Sequence, residues 1–245
     1  MIVVVPVEPT ESSRHLPELV AGSVVSRGEA TELYAAAVTD VVRAVESSGG
    51  SLLVNYRDGS ANTSDGDENP ETASRELVTE GLSEPDAPRF ERQVGSNTAA
   101  RIGNTVTHLL EREDARSVSV LEPTAPLIRR TEIDGVAMAT RRNDVVLGAN
   151  GAGGVYLSAF ATTIDFAGAY DAPALATLAE RAGAAELAIG FAPAVPTIDT
   201  EAGLATTIAT IDARAAAGKP VPEATARTID DLGLFTPDGR SLVRS

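Results

Sequence analysis

The chain has no cysteine and no tryptophan, and Lys219 is its only lysine. Without thiols, disulfide bonds, thiolate nucleophiles and Cys-ligated zinc are excluded by inventory. The two histidines, His15 and His108, are too few for a His-rich metal centre. No apolar run approaches the roughly 20 residues that a membrane-spanning helix needs. The amino terminus MIVVVPVEP reaches Pro6 after a short apolar run with no cationic flank, so it reads as neither signal peptide nor anchor. A soluble, cytoplasmic protein is expected, with no membrane partner. Positive charge is also scarce: 20 basic side chains against 35 acidic ones leave a net charge of −15. That balance argues against nucleic acid or an anionic membrane surface as a partner. An acidic, lysine-poor, alanine-rich composition with 4% aromatics suits a halophilic cytoplasm, where salt screens the repulsion between hydrated surface carboxylates.

What is present is a core and an alternation. With 43% hydrophobic residues over 245 positions, the chain can form one large α/β domain, expected over residues 1–235 with a polar tail over 236–245. Ile2 to Val5 is a continuous β-branched run, the mark of a strand buried on both faces. The following stretch, Pro6 to Leu19, is rich in Pro and Ser and reads as a loop. From Ala30 the apolar positions Tyr34, Val38, Val41, Val42 and Val45 recur at helical spacing, and Gly49-Gly50 read as a left-handed helix stop. Further strands are expected at Ser51 to Tyr56, Phe90 to Val94 and Glu186 to Phe191. Further helices are expected at Thr72 to Leu82, from a cap at Ser96 to Leu110, and at Ala172 to Ala182, Glu201 to Ala217 and Glu223 to Leu232. Between Arg57 and Glu71 the sequence is acidic, glycine-containing and without large apolar residues, as in a solvated loop. Together these describe a three-layer α/β fold with a mainly parallel central sheet.

The stretch from Ser117 to Phe160 organises the rest. It reads as strand, turn, helix, strand, glycine turn, strand, with apolar runs that stop abruptly at Pro123 and Gly148. Open α/β sheets bind ligands beyond the carboxyl ends of their strands, so these loops form the candidate site. GANGAGG, Gly148 to Gly154, could bring backbone N–H groups to a phosphate. It lacks the Lys-Ser/Thr of a P-loop and enters a strand rather than a helix, so a tight turn is an equally direct reading. His108 falls off the apolar face of its helix and reads as a surface residue. Asp134 and Asp165 read as helix surface and loop.

The order of VPVEPTESSR near the start, QVGSNTAARI at Gln93 to Ile102, VLEPTAPLI at Val120 to Ile128, DVVLGANGAGGVYLSAF at Asp144 to Phe160 and PTIDTEAGLA at Pro196 to Ala205 resembles the glycosyltransferase-A-like (GT-A) branch of the nucleotide-diphospho-sugar transferase superfamily. Relatives in that branch include molybdenum-cofactor guanylyltransferases and phospholactate guanylyltransferases. The resemblance implies a Rossmann-like sheet that binds a nucleotide or nucleotide-sugar at its carboxyl edge, with Mg²⁺ or Mn²⁺ as cofactor in catalytic members. It implies Arg14 as a phosphate ligand of the first loop, where Glu8 and Ser12 stand in place of an expected lysine. It implies Thr124, Gly148, Asn150, Gly153 and Gly154 as nucleotide-binding positions. Thr124 and Ala152 stand where relatives carry metal-binding Asp, and Asp199 keeps half of a late Asp-Val-Asp motif. Glu122 and Asp199 are the remaining carboxylates near the site and the candidates for catalysis or metal binding. With the Asp positions substituted, no tightly held metal is expected. Three functions stay open at this point: a divergent nucleotidyl- or glycosyltransferase, a non-catalytic nucleotide- or phosphometabolite-binding protein, and an interaction module that forms a homo-oligomer.

Overall fold

The computed structural model describes residues 1–9, 15–57 and 69–244. In chain order the elements are β1 (Ile2–Val7), α1 (Pro17–Ala21), α2 (Arg27–Glu46), β2 (Ser51–Tyr56), α3 (Pro70–Thr79), β3 (Arg89–Arg92), α4 (Thr98–Glu111), β4 (Val118–Leu121), α5 (Arg130–Ala139), β5 (Val145–Ala149), β6 (Val155–Phe160), α6 (Ala174–Ala184), β7 (Ile189–Ala192), α7 (Glu201–Ala216), α8 (Glu223–Asp231), β8 (Leu234–Phe235) and β9 (Val243–Arg244). Seven strands form one sheet in the order β3-β2-β1-β4-β6-β5-β7. All run parallel except β6, which is antiparallel to both of its neighbours. The reversal follows from the β5–β6 connection, residues 150–154, which is too short to be a crossover and closes a hairpin.

Side-chain alternation along the strands divides the core in two. Val3, Val5, Val7, Val54 and Val146 point into one cluster, where they meet Leu33, Val38, Val41 and Val45 of α2, Ile133 and Val136 of α5, and Leu204 and Ile208 of α7. Val4, Leu53, Val120, Val145 and Leu147 point the other way, onto Ile102, Val106 and Leu109 of α4 and Leu178 and Ala182 of α6. The fold is therefore the three-layer α/β arrangement expected from the alternation of apolar runs. Among the described residues no helix is long and apolar enough to cross a membrane.

Local chemistry explains where the boundaries move. α2 starts before Ala30 because Ser26 and Glu29 form a capping box: Ser26 Oγ accepts from Glu29 N–H at 3.3 Å, and the Glu29 carboxylate accepts from Ser26 N–H at 2.6 Å. α4 is capped by Asn97 rather than Ser96, with Asn97 Oδ1 accepting from Ala100 N–H at 2.8 Å. Within the stretch read as a loop, Pro17 opens the short α1 at a position where no N–H is needed, and Leu19 is buried beneath it. Gly49 and Gly50 are not left-handed, since neither has positive φ. Gly50 instead permits a close approach, because a Cβ there would lie 2.7 Å from Val3 Cγ2. The described part of 236–245 returns to the body: β9 pairs with β8, and Arg244 binds the Glu29 carboxylate and the Val24 carbonyl. Arg14 and Ser12, and most of the expected loop between Arg57 and Glu71, lie outside the described residues.

Candidate functional site

At the carboxyl edge, the loops leaving β1, β3 and β4 surround a cavity of ≈ 220 Å³. Its walls are Glu8 beyond β1, Asn55 in β2, Gln93 beyond β3, Glu122 to Thr124 beyond β4, Thr98 and Arg101 of α4, Tyr34 of α2, His15 and Asp199. Much of the wall is held by internal hydrogen bonds. Asn55 Nδ2 donates to the Glu91 carbonyl at 3.1 Å, Gln93 Nε2 to the Asn55 carbonyl at 2.7 Å, and Glu8 N–H to the Tyr34 hydroxyl at 3.0 Å. His15, 5% exposed, stacks on Tyr34 with ring centroids 4.2 Å apart, and burial lowers its pKa, favouring the neutral ring.

Three of the predicted residues meet here. Thr124 Oγ1 donates to Asp199 Oδ2 at 2.9 Å, and the Ile198 N–H donates to the Thr124 carbonyl at 2.9 Å, tying the loop after β4 to the loop before α7. Gly203 lets the first turn of α7 close onto the loop before it, since a Cβ at this position would lie 2.0 Å from the Thr197 carbonyl oxygen. Burial raises the Asp199 pKa, against the opposing hydrogen bonds of Thr197 and Thr124. Glu122 follows β4, and its N–H donates to the Tyr156 carbonyl at 2.8 Å. No described residue hydrogen-bonds its carboxyl; burial, and secondarily the charge of Asp199, push its pKa up to about 8. Glu122 lies one residue beyond the end of β4, and there it stands in the cavity wall.

The glycine loop has a different role. Asn150 Oδ1 accepts from the N–H groups of Ala152 at 2.9 Å and Gly154 at 3.0 Å, so amides that could cradle a phosphate are already engaged. Gly148 makes room for Tyr156, whose ring a Cβ would meet at 2.4 Å and whose hydroxyl donates to the Pro193 carbonyl at 3.0 Å. Gly153 has φ +80, the left-handed conformation of a tight turn. Gly148, Asn150, Gly153 and Gly154 do not line the carboxyl-edge cavity, and Ala152 is exposed in the turn. Asn150 reaches the site only indirectly, through a 3.5 Å contact of its Nδ2 with Thr197 Oγ1.

Arg101 is the cation of this wall that the sequence left unremarked within QVGSNTAARI. Its guanidinium donates to Thr98 Oγ1 at 3.1 Å, and burial together with the charge of Arg57 lowers its pKa. Arg57 pairs with Glu8 at 2.6 Å. One signal for Arg101 was available: it lies one turn beyond the Asn97 cap, at the start of a helix that follows a strand's carboxyl end. His108 pairs with Glu113 at the exposed end of α4; Asp134 accepts from Gly49 N–H, and Asp165 pairs with Arg181.

The Mg²⁺ or Mn²⁺ implied by the resemblance can be tested against these donors. A hard cation needs several convergent, unprotonated oxygens. Here Glu8 is paired with Arg57, Asp199 is held by hydroxyl groups, and burial favours the neutral acid at Glu122. Among the described residues no three His, Asp or Glu side chains are grouped to hold a metal ion. This donor set does not fit a preformed divalent site.

No protein-family model and no curated protein matches the sequence. Solved structures do. A provisionally assigned nucleotide-diphospho-sugar transferase from Desulfovibrio desulfuricans superposes with a TM-score of 0.74 over 94% of this chain and 95% of that one, at 18% identity. A cytidylyltransferase from Leptospira borgpetersenii gives a TM-score of 0.52 over 94% and 93%, at 10% identity. At such identities the likeness is one of fold. The chain has the Rossmann-like fold of nucleotide-diphospho-sugar transferases, as the order of its motifs implied.

Proposed function

We propose that the protein binds a nucleotide or nucleotide-sugar in the carboxyl-edge cavity, as a nucleotidyl- or glycosyltransferase-like protein without a preformed divalent-metal site. The observation that carries this reading is the convergence of Arg101, Glu122, Thr124 and Asp199 on one cavity at the edge where open α/β sheets take their ligands. Arg101, already short of hydration, donates to phosphate oxygens. Glu122, neutral at pH 7, donates a hydrogen bond to an oxygen of the ligand instead of repelling it, and is the acid–base group of the cavity. Thr124 and Thr197 hold Asp199 in place from the other side. Tyr34 and His15 form a stacked, largely apolar floor.

The deciding experiment is a thermal-shift panel of nucleoside triphosphates and nucleotide sugars in multimolar KCl, each with and without Mn²⁺. A ligand that binds only the folded state raises the melting temperature by mass action. At least one nucleotide or nucleotide-sugar is expected to do so without Mn²⁺ in the unmodified protein and not in Arg101→Gln. If no compound shifts the unmodified protein, the reading fails; if shifts occur only with Mn²⁺, the metal-free part of it fails.

A further inference from the structure

Cations are scarce in this chain, yet Arg43, Arg129, Arg130 and Arg214 line one cavity of ≈ 500 Å³ between α2, α5, α7 and α8. It shares no lining residue with the carboxyl-edge cavity. Two of the four arginines are matched by acids of α5: Arg129, which precedes the helix, pairs with Glu132, and Arg130 lies 3.6 Å from Asp134. The other two have no ion pair among the described residues. Arg43 donates its Nε–H to the Gly81 carbonyl at 2.7 Å, and Arg214 donates one N–H to the Leu127 carbonyl at 3.3 Å. The two carboxylates whose charges act on Arg43 are also engaged elsewhere: Asp40 accepts from the N–H groups of Ala224 at 3.2 Å and Thr225 at 2.7 Å and so caps α8, and Glu46 accepts from those of Ser83 and Glu84 at 2.9 Å. Glu223 is the remaining acid of the wall.

A guanidinium carries five N–H donors in a planar fork. Arg214 uses one of them, is half-buried, and faces Arg129. Burial and the neighbouring Arg129 lower its pKa and outweigh the opposing charge of Glu132, so the fold holds a cation in a place that disfavours charge. An anion supplied from outside relieves that cost and satisfies the open donors at once. The walls suit a small ligand: Pro126, Pro220 and Pro222 are rigid, and the volume lies within the ordinary range for small-molecule pockets. From Arg43, Arg214 and the volume together we infer that this cavity is a second ligand site, for a small phosphorylated anion that Arg43 and Arg214 grip while Arg129 and Arg130 form its rim. The inference stands apart from the proposed nucleotide site, because it uses none of that site's residues.

Pyrophosphate is the probe, titrated calorimetrically into the full chain in the lowest KCl concentration that preserves its melting temperature, with citrate as the comparison. Unmodified protein is expected to bind pyrophosphate saturably, and at least tenfold more tightly than citrate. The double variant Arg43→Gln, Arg214→Gln is expected to lose at least tenfold in affinity. Removing the same charge elsewhere, by Arg141→Gln with Arg142→Gln on the exposed surface, is expected to change it less than twofold. Should a Gln variant fail to fold, the arginine Nε–H resonances of unmodified protein report instead: those of Arg43 and Arg214 shift on addition of pyrophosphate, while those of Arg141 and Arg142 do not. The inference is overturned by absence of saturable binding, by citrate binding as well as pyrophosphate, by equal loss in the surface double variant, or by unmoved Arg43 and Arg214 resonances.

Discussion

The two cavities meet along a single short segment, residues 122–130, and burial acts in opposite directions on the charges at its two ends. At one end Glu122 closes the carboxyl-edge cavity, and desolvation pushes its carboxyl toward the neutral form. At the other, Arg129 and the facing Arg214 close the arginine cavity, where desolvation and mutual repulsion weaken the hold of Arg214 on its proton. One site lowers its cost by taking up a proton. The other cannot, because guanidinium stays protonated at any working pH and needs an external anion. The contrast shows how a chain of net charge −15 can hold two unlike sites: the sign of the uncompensated group, rather than overall charge, sets what each accepts.

The sharpest separation of the two cavities comes from Arg101→Gln. Losing a charge-assisted contact to phosphate, typically about 1.5–3 kcal/mol, should weaken nucleotide binding by about 10- to 100-fold. Titration of the nucleotide into the Arg43→Gln, Arg214→Gln double variant should show no such loss; an equal loss would merge the sites into one. Next in size is Gly203→Ala, which forces a Cβ into the Thr197 carbonyl and should cost about 1–3 kcal/mol in urea unfolding while displacing Asp199. Gly183→Ala on α6, where a Cβ meets nothing within 4 Å, should instead be neutral or stabilise by up to about 1 kcal/mol. If the two substitutions behave alike, the packed loop around Asp199 is not what Gly203 protects.

Thr124→Val should cost about 1–2 kcal/mol by removing one of the hydroxyl donors to a half-buried carboxylate, and it should raise the Asp199 pKa further, as followed by carboxyl resonances in an NMR titration. An unmoved Asp199 would mean that the Thr124 contact contributes nothing to the site. A further effect is expected on pH dependence. The folded pKa of Glu122 lies above its unfolded value, so its contribution to stability is fully present below about 4.5 and is lost as pH rises through about 8. Over the same upper range an ionised Glu122 beside Asp199 repels an anionic ligand, so nucleotide affinity should fall a few-fold between pH 7 and 9. Glu122→Gln should flatten both profiles, whereas pyrophosphate binding in the arginine cavity should be insensitive to the substitution.

The layers were legible because they rest on local signals. A β-branched run at Ile2 to Val5 can be satisfied only by burial on two faces, and the period of Val38, Val41, Val42 and Val45 fits only a helix against that sheet. Glu122, Thr124 and Asp199 were singled out through the resemblance in motif order, and the fold brings the three to one cavity. Tertiary structure alone decided the rest. Whether the amides after Gly148 face a ligand depended on the Asn150 side chain, which takes them for itself. Tyr34, Asn55 and Arg101 belong to three separate elements and Gln93 to a loop, and no pattern in sequence joins them. The arginine cavity is more distant still, with Arg43 and Arg214 separated by most of the chain and brought together by the packing of α2 against α8 and of α7 beside it. Sequence fixes which faces must be buried, because hydrophobic periodicity is local; where charges converge depends on contacts between elements far apart, which only the packed layers bring within reach.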